Sequence, residues 1–224
     1  GPEGLDSADM AEAMSLCISC KGCRRECPTG VDMARMKLEW QYRQNQRAGV
    51  AIRERMLAAL PRVAPWVHRA APLINLAGRT PAVRLLGLAP ERMLPRWDSN
   101  PWKDTEVAPA TPPEVALFVD TFTRWFEPIN ARAAHKILAL NGRRAVALAA
   151  PEGERPLCCG RTYLSAGMLD EARAEAMRLL RAATPLVEAG VPIIGLEPSC
   201  LYTLRDEIPA LFPGNEARAV AEHA

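Results

Sequence analysis

The stretch CISCKGCRRECP, residues 17–28, decides how the amino-terminal part of the chain folds. Its cysteines, Cys17, Cys20, Cys23 and Cys27, follow the spacing C-x2-C-x2-C-x3-C-P. This spacing is typical of a loop that wraps around one cubane iron–sulfur cluster, because such a cluster is held by several closely spaced thiolates. The stretch therefore predicts a 4Fe-4S cluster, with these four cysteines as its cofactor-binding and metal ligands.

Other residues of the run suit such a cluster. Lys21, Arg24 and Arg25 bring positive charge beside a net-negative cluster, which favours a higher reduction potential. Gly22 suits a tight turn, and Pro28 ends the loop without an amide hydrogen that needs an acceptor.

Two alternatives for the ligands stay open. A structural zinc site is the main competitor, although structural zinc usually takes its ligands in two separated pairs. In two-cluster ferredoxins the fourth cysteine of such a run serves the other cluster, and this sequence has no second run of that kind. Cys27 therefore closes a single cluster or serves one whose other ligands lie upstream, and we favour the second.

Helical signals flank the run on both sides. Asp6 or Ser7 can cap a short helix that continues through Met14, and Asp32 can cap a second helix after the run. Residues 1–48 are therefore predicted to form a helical ferredoxin-like unit.

Residues 49–97 are predicted to form a helical connector. The part from residue 50 to residue 97 carries eight Arg and two Glu with no Lys or Asp, a net charge of +6, and prolines divide it into short helices. Basic amphipathic helices can lie on an anionic membrane surface. We favour packing on a neighbouring domain or on the second half of the chain, with peripheral membrane contact through residues 50–97 as the alternative.

Beyond the connector the pattern changes. Residues 98–113 hold four prolines and are predicted to be a linker. Strands and helices then alternate, which favours a small, mainly parallel sheet. In chain order, the predicted strands and helices are residues 115–120, 128–140, 145–149, 165–189 and 191–196. The fold class is therefore mixed α and α/β, with an α/β domain at residues 114–224.

Three further cysteines lie in this half. Cys158 and Cys159 are adjacent, whereas Cys200 is distant in sequence, so only the fold can bring them together. Both groups follow predicted strands, and ligands collect at the carboxyl ends of strands in open α/β sheets. The residues leave open metal ligation, burial as small hydrophobic side chains, and thiol–disulfide chemistry at the adjacent pair.

Composition narrows the class of protein. Aromatic residues are 5% of the chain and no basic run is interleaved with them, so nucleic acid is not an expected partner. Residues 1–14 lack the positive and apolar regions that are typical of a signal peptide, and roughly 18 apolar residues nowhere follow one another without a charge. We expect a cytoplasmic location, with contact at the inner membrane face at most. The opening Gly1 and Pro2, without an initiator methionine, indicate a piece of a longer protein.

No catalytic residue is assigned. No G-x-G-x-x-G, G-x-S-x-G or P-loop motif occurs, and His68, His135 and His223 have no partner at ligand spacing, so they are predicted to be structural. Asp120, Thr121 and Thr123 lie at the end of the first predicted strand or just after it, where they can cap a turn or hydrogen-bond to a cluster or substrate.

Four stretches, in this order, resemble one family. They are CISCKGCRRECPTGVDM, LFVDTFTRWFEP, LCCGRTYLSAGMLDEA and GLEPSCLYTLRDE. In them the chain resembles the iron–sulfur carboxyl-terminal region of FAD-linked D-lactate and D-2-hydroxyglutarate dehydrogenases, which act on D-2-hydroxy acids. It resembles more distantly the glycolate oxidase iron–sulfur subunit and the cysteine-rich CCG subunits of heterodisulfide reductase.

The resemblance implies an electron path. FAD in an upstream domain takes a hydride from a D-2-hydroxy acid, and the electrons leave singly through clusters to an acceptor that the sequence does not identify. Cys17, Cys20 and Cys23 would hold one cluster, and Cys27 would help to hold another. The expected partner is the upstream FAD-binding domain, against which the connector would pack.

The resemblance also assigns the second half to a CCG-type domain. Cys158, Cys159 and Cys200 match the first of two CCG units, and their part in metal binding is implied by that match. Relatives continue into a second unit, so residues 114–224 are expected to be a truncated domain. Without its flavin domain, the chain is not expected to oxidise a substrate.

Overall fold

The amino-terminal part is helical in the computed structural model, which describes residues 4–78, 80 and 93–224. A 3-10 turn at Gly4–Asp6 comes first. The helices that follow are α1 (Ala8–Leu16), α2 (Gly22–Glu26), α3 (Met33–Ala48), α4 (Ile52–Ala58), α5 (Leu60–Val67) and α6 (Ala71–Ala77). Short helices divided by prolines were expected in the connector. Helices α4 to α6 are short, and Pro61 and Pro72 lie in the first turns of α5 and α6, but Pro65 lies inside α5 and does not end it. Residues 79 and 81–92 of the predicted connector lie outside the described residues.

The caps of the first long helices follow the sequence signals. Ser7, rather than Asp6, caps α1, and its Oγ accepts a hydrogen bond from the amide of Met10 at 3.2 Å. The Oδ1 of Asp32 accepts from the amide of Arg35 at 3.1 Å and caps α3. These bonds satisfy amides that have no partner within the helix.

One face of the connector packs on the second half of the chain. Ala64 and Ala71 are buried in a cluster with Trp97 and with Trp125, which belongs to the α/β part. His68 lies in this cluster, with Nε2 2.8 Å from the carbonyl oxygen of Asp98, so its contacts are structural.

The second half contains a parallel sheet, as predicted. Its strands are β1 (Val115–Phe118), β2 (Ala145–Ala147) and β3 (Ile193–Gly195), in the order β2-β1-β3. All four residues of β1 are buried, because the central strand is covered on both faces. The strands are shorter than the predicted runs, whose last residues already belong to the loops at the carboxyl edge.

Helices and a π turn surround the sheet. They are α7 (Thr121–Phe126), α8 (Pro128–Leu140), α9 (Arg161–Ser165), α10 (Leu169–Glu188), α11 (Pro198–Tyr202), a π turn (Thr203–Glu207), α12 (Ile208–Leu211) and α13 (Asn215–His223). The prediction for α8 is confirmed at both ends. The prediction of one helix over residues 165–189 is wrong at its start, because α9 ends at Ser165 and α10 begins at Leu169.

Gly167 explains the interruption. It has φ of +65°, and a Cβ atom there would lie 2.7 Å from the Cβ of Gln41 on α3. The chain therefore turns where α3 approaches too closely for any side chain. The side chain of Asn45 on α3 donates to the carbonyl oxygen of Ala166 at 2.7 Å, which fastens the same point.

The stretch predicted as a linker packs on the sheet domain. Trp102 and Val107 belong to a buried cluster with Val115 and Leu117 of β1. The amide of Trp102 donates to the carbonyl oxygen of Arg124 at 3.0 Å. Part of residues 98–113 is therefore fastened to the α/β half.

Candidate functional site

The cysteine run connects α1 to α3 and contains α2. Cys17 follows α1, Cys23 lies in α2, and Cys27 follows α2. Ser19 and Lys21 have φ of 57° and 59°, a left-handed conformation that non-glycine residues seldom adopt. The tight turn assigned to Gly22 is therefore made by Ser19 and Lys21 instead, while Gly22 begins α2.

Backbone and hydroxyl groups surround two sulfur atoms of the run. The amide of Met33 donates to the Sγ of Cys23 at 3.3 Å, and the Oγ1 of Thr29 lies 3.1 Å from the Sγ of Cys27. The Thr29 hydroxyl and the amides of Val31, Thr29 and Gly30 lower the pKa of Cys27, because these hydrogen bonds favour the thiolate. The thiolate is the form that binds iron.

The four thiols of the run are within reach of solvent. Cys20 is exposed, and Cys17, Cys23 and Cys27 are partly exposed and free. Across residues 4–78, 80 and 93–224, no three Cys, His, Asp or Glu side chains are grouped so as to hold a metal ion. The structure thus places the four predicted ligands on one loop without gathering their sulfur atoms at one point.

A cavity of about 220 Å³ lies beside the run. Its lining includes one carboxylate, Glu207, and four cations, namely Lys21, Arg35, Lys37 and Arg161. Cys17 lines the same cavity, and the Nζ of Lys37 donates to the Cys17 carbonyl oxygen. A thiol donor set beside cationic walls fits, in its chemistry, a 4Fe-4S cluster with net negative charge.

Two carboxylates that the sequence analysis did not single out, Asp206 and Glu207, form ion pairs with the run. Asp206 accepts hydrogen bonds from Arg24 at 2.7 Å and Arg35 at 2.6 Å, and it also pairs with Lys21. Burial of Asp206 would raise its pKa, but hydrogen bonds from Lys21 and Arg24 outweigh burial and bring the pKa to about 2. The acidic pair DE at the end of GLEPSCLYTLRDE was the available signal, but its partners are 171 to 185 residues away.

The fold brings the cysteines of the second half together. Cys158 and Cys159 precede α9, Cys200 lies in α11, and all three are buried. The Sγ of Cys159 donates to the Sγ of Cys200 at 3.1 Å, which is longer than a disulfide bond of about 2.05 Å. Cys159 and Cys200 therefore meet as free thiols, and Cys158 next to them is also a free thiol.

Their surroundings differ from those of the run. A hydrogen bond with Cys159 and burial raise the pKa of Cys158 well above its usual value. The hydrogen bond with Cys158 favours the thiolate of Cys159, but the bond to Cys200 and burial prevail and raise the Cys159 pKa as well. Cys159 and Cys200 belong to the main hydrophobic core, so in the metal-free chain they pack as small hydrophobic side chains.

Gly160 turns the chain directly after this pair. Its φ is +84°, and a Cβ atom there would lie 3.0 Å from the carbonyl oxygen of Ala172 on α10. Glycine is required both by the conformation and by the approach to the helix.

Asp120 caps α7. Its Oδ1 accepts from the amides of Phe122 and Thr123 at 2.8 and 3.1 Å. Of the two roles considered for these residues, the capped turn is therefore the one that the structure displays.

Within the part of the chain that the structure describes, every helix is too short or too polar to cross a bilayer.

Comparisons with known proteins point to one kind of dehydrogenase. The chain is 24% identical over 228 residues to a D-2-hydroxyglutarate dehydrogenase of Pseudomonas putida, an alignment that covers 94% of this chain and 22% of that protein. It is 30% identical over 80 residues to a D-2-hydroxyglutarate dehydrogenase of Escherichia coli, covering 36% of this chain and 8% of that protein. No family model and no solved structure matches.

These similarities are to oxidoreductases. Both relatives are named as dehydrogenases, and the chain spans less than a quarter of the length of either. The chain therefore resembles one segment of a much larger dehydrogenase.

Proposed function

We propose that this chain is the iron–sulfur electron-transfer module of a flavin-dependent D-2-hydroxyacid dehydrogenase. The observation that carries the proposal is the C-x2-C-x2-C-x3-C-P spacing of residues 17–28, because this spacing is built for a cubane cluster. Similarity to a D-2-hydroxyglutarate dehydrogenase along 94% of the chain supports the kind of reaction that the module would serve.

In this proposal the run holds the metal. Cys17, Cys20 and Cys23 are ligands of one 4Fe-4S cluster, and Cys27 completes it or serves a second cluster with ligands upstream. A bound cluster would supply one-electron transfer. The hydrogen bond from Thr29 favours the thiolate of Cys27, which prepares that sulfur for iron.

The cationic residues beside the run are proposed to stabilise the charge of the cluster. Lys21, Lys37 and Arg161 line the adjoining cavity. Positive charge beside a cluster stabilises its more negative, reduced form, so these residues favour acceptance of an electron.

The second cysteine group is proposed as an additional metal site. The 3.1 Å approach of Cys159 to Cys200 supports it, because it places two sulfur ligands together. The raised pKa values of Cys158 and Cys159 mean that metal binding there must release protons. Because a thiol with a raised pKa gives up its proton less readily, proton loss opposes binding at this group more strongly than binding through Cys27.

The proposed partner is an FAD-binding domain in the remainder of a larger protein. The connector supports it with large apolar side chains that are more than half exposed. They include Ile52, Met56, Leu57, Trp66 and Leu73. An anionic membrane surface is the alternative occupant, supported by the net charge of +6 across residues 50–97. The electron acceptor is left unassigned.

Anaerobic reconstitution with ferrous iron and sulfide tests the proposal. The wild-type chain is compared with Cys20→Ser and Cys158→Ser, a matched pair that removes one thiol from each site. We expect about four irons and four sulfides per chain at the run and absorbance near roughly 400 nm that bleaches on reduction. The Cys20→Ser variant should lose this iron, whereas Cys158→Ser should keep it.

The alternative function is a zinc or scaffold module that moves no electrons. Metal analysis of protein purified without reconstitution distinguishes the two. Stoichiometric zinc with no iron, and no iron uptake after zinc removal and reconstitution, would contradict the electron-transfer proposal.

A further inference from the structure

Two adjacent carboxylates join the segments that carry the two cysteine sites. Asp206 and Glu207 end the π turn that directly follows α11, the helix of Cys200. Their cationic partners include residues of the cysteine run, which lies more than 180 residues earlier in the sequence. Ion pairs across such a distance in sequence can only fix tertiary arrangement.

Asp206 fastens the run itself. Lys21 and Arg24 stand on either side of Cys23, and both bind the Asp206 carboxylate, Arg24 at 2.7 Å. Arg35 in the first turn of α3 binds it at 2.6 Å. One carboxylate thus receives charge-assisted hydrogen bonds from the run and from the helix that follows, at distances typical of strong bonds.

Glu207 extends the contact to the second site. Its Oε1 lies 2.8 Å from the Nζ of Lys21 and 2.9 Å from the Nη1 of Arg161. Arg161 is two residues after Cys159 and begins α9. A single carboxylate therefore contacts a cation from each cysteine segment.

The π turn that carries the two carboxylates is packed into the core. Thr203, Leu204 and Ile208, in and directly after the π turn, are fully buried. The Oγ1 of Thr203 also donates to the carbonyl oxygen of Ser199 at 2.8 Å. A π turn is a rare conformation that occurs often at functional sites. Because its base is fixed in the core, the turn can hold the more exposed run in place.

We propose that Asp206, assisted by Glu207, is a positioning residue that holds the cysteine run against the α/β half and links the two cysteine sites. Four cations, Lys21, Arg24, Arg35 and Arg161, surround these two carboxylates. The Asp206 charge offsets part of the positive potential beside the run. This electrostatic consequence for a cluster rests on the proposed function. The ion pairs of Asp206 and Glu207 with these four cations, called the tether below, do not require iron.

Hydrogen exchange of the metal-free chain measures the tether. The amides of Arg24, Cys27 and Gly30 donate to carbonyl oxygens within the run, so their exchange reports its opening. The wild type is compared with Asp206→Asn and with Asp170→Asn. The control makes the same chemical change at an exposed residue of α10, whose contact with α3 is one hydrogen bond of 3.4 Å from Tyr42.

In Asp206→Asn we expect exchange of these amides to rise roughly tenfold, because opening no longer separates the carboxylate from three cations. In the Asp170→Asn variant, exchange of the run should stay within about twofold of the wild type, and in Asp206→Asn the amides of α10 should keep their wild-type rate. Unchanged exchange of the run in Asp206→Asn would overturn the proposal.

A change on the other side of the contact keeps the test decisive if Asp206→Asn does not fold. Arg24→Gln alters an exposed side chain of the run and leaves the base of the π turn intact. It should raise exchange of the run in the same direction, by roughly threefold because one of the three cations is lost. If the amides of the run exchanged at the wild-type rate in Arg24→Gln, this result would likewise overturn the proposal.

A second readout concerns the cluster. After reconstitution, the reduction potential of Asp206→Asn should be more positive than that of the wild type and Asp170→Asn, because a negative charge beside the cluster has been removed. If the reduction potential of Asp206→Asn equalled that of the wild type, the electrostatic part of the proposal would be overturned. Failure of every chain to take up iron would contradict the proposed function, and hydrogen exchange would still decide the tether.

Discussion

The run of Cys17 to Cys27 and the group of Cys158, Cys159 and Cys200 place the same side chain in opposite surroundings. Cys20 is exposed, the other thiols of the run are partly exposed, and hydrogen bonds lower the pKa of Cys27. The second group is buried, and its environment raises the pKa of Cys158 and Cys159. Burial and neighbouring donors therefore decide whether a cysteine is ready to act as a thiolate ligand.

The two sites also differ in how the backbone holds them. The run depends on left-handed Ser19 and Lys21 and on ion pairs to the π turn. The second group is held by a packed core, with Gly160 pressed against α10. The first site is therefore expected to rearrange around a ligand more readily than the second.

Thiol alkylation should give the largest contrast between the sites. In the metal-free, reduced chain, we expect Cys20 and Cys27 to react at least about a hundredfold faster than Cys158 and Cys159, which need local unfolding and deprotonation before they can react. Timed iodoacetamide labelling with peptide mass spectrometry measures each rate. Similar rates at both sites would mean that the second group is not protected by burial.

Glycine substitutions should test the packing of the second site. Gly160 and Gly153 both have left-handed φ values, of 84° and 83°, but of the two only Gly160 has backbone atoms close to where an added methyl group would lie. We expect Gly153→Ala to lower the free energy of unfolding by about 1 kcal/mol through backbone strain alone. Gly160→Ala should lower it by about 3 kcal/mol, because crowding against Ala172 is added.

Urea denaturation of the two variants measures this difference. Equal losses of stability would show that the approach of Gly160 to α10 does not constrain the second cysteine site.

The smallest expected effect is the loss at low pH of the stability that the tether contributes. Because the pKa of Asp206 is about 2 in the folded chain and 3.8 without its partners, its stabilisation is complete above about pH 4 and is lost as the pH falls through about 2. Allowing for solvent screening, we expect the wild type to exceed Asp206→Asn by about 1 kcal/mol near pH 6 and by roughly half of that near pH 3.

Denaturation of both chains across this pH range provides the measurement. A difference in stability that stayed constant, or that grew as the pH fell, would contradict the claim that ionised Asp206 stabilises the fold through its ion pairs.

Local sequence signals were sufficient for much of the fold. The apolar runs that became β1, β2 and β3 indicated the parallel sheet, and the Asp32 cap indicated the start of α3. These features depend on neighbouring residues, so a pattern within one segment can reveal them.

Features set by tertiary contact were not visible in the same way. The interruption at Gly167 depends on the approach of Gln41 from another helix. The place of Trp102 in the core depends on packing against β1. The ion pairs of Asp206 join residues that are far apart in sequence. No local pattern around Asp206 or around its partners predicts that they will meet.

For the candidate site, sequence spacing led to a prediction of which cysteines bind metal but gave no information on their environments. The contact between Cys159 and Cys200 required the folded α/β half, because α10 and β3 lie between them in sequence. The lowered pKa of Cys27 depends on Thr29 and nearby amides, whose orientation follows from the turn after α2.

Electron paramagnetic resonance of the reconstituted chain, reduced with dithionite under anaerobic conditions, addresses the iron–sulfur assignment itself. A reduced 4Fe-4S cluster carries unpaired spin, so we expect a signal that is lost in Cys20→Ser and retained in Cys158→Ser. A colourless wild-type chain that gives no signal on reduction would contradict the assignment of residues 17–28 as the site of an electron-carrying cluster.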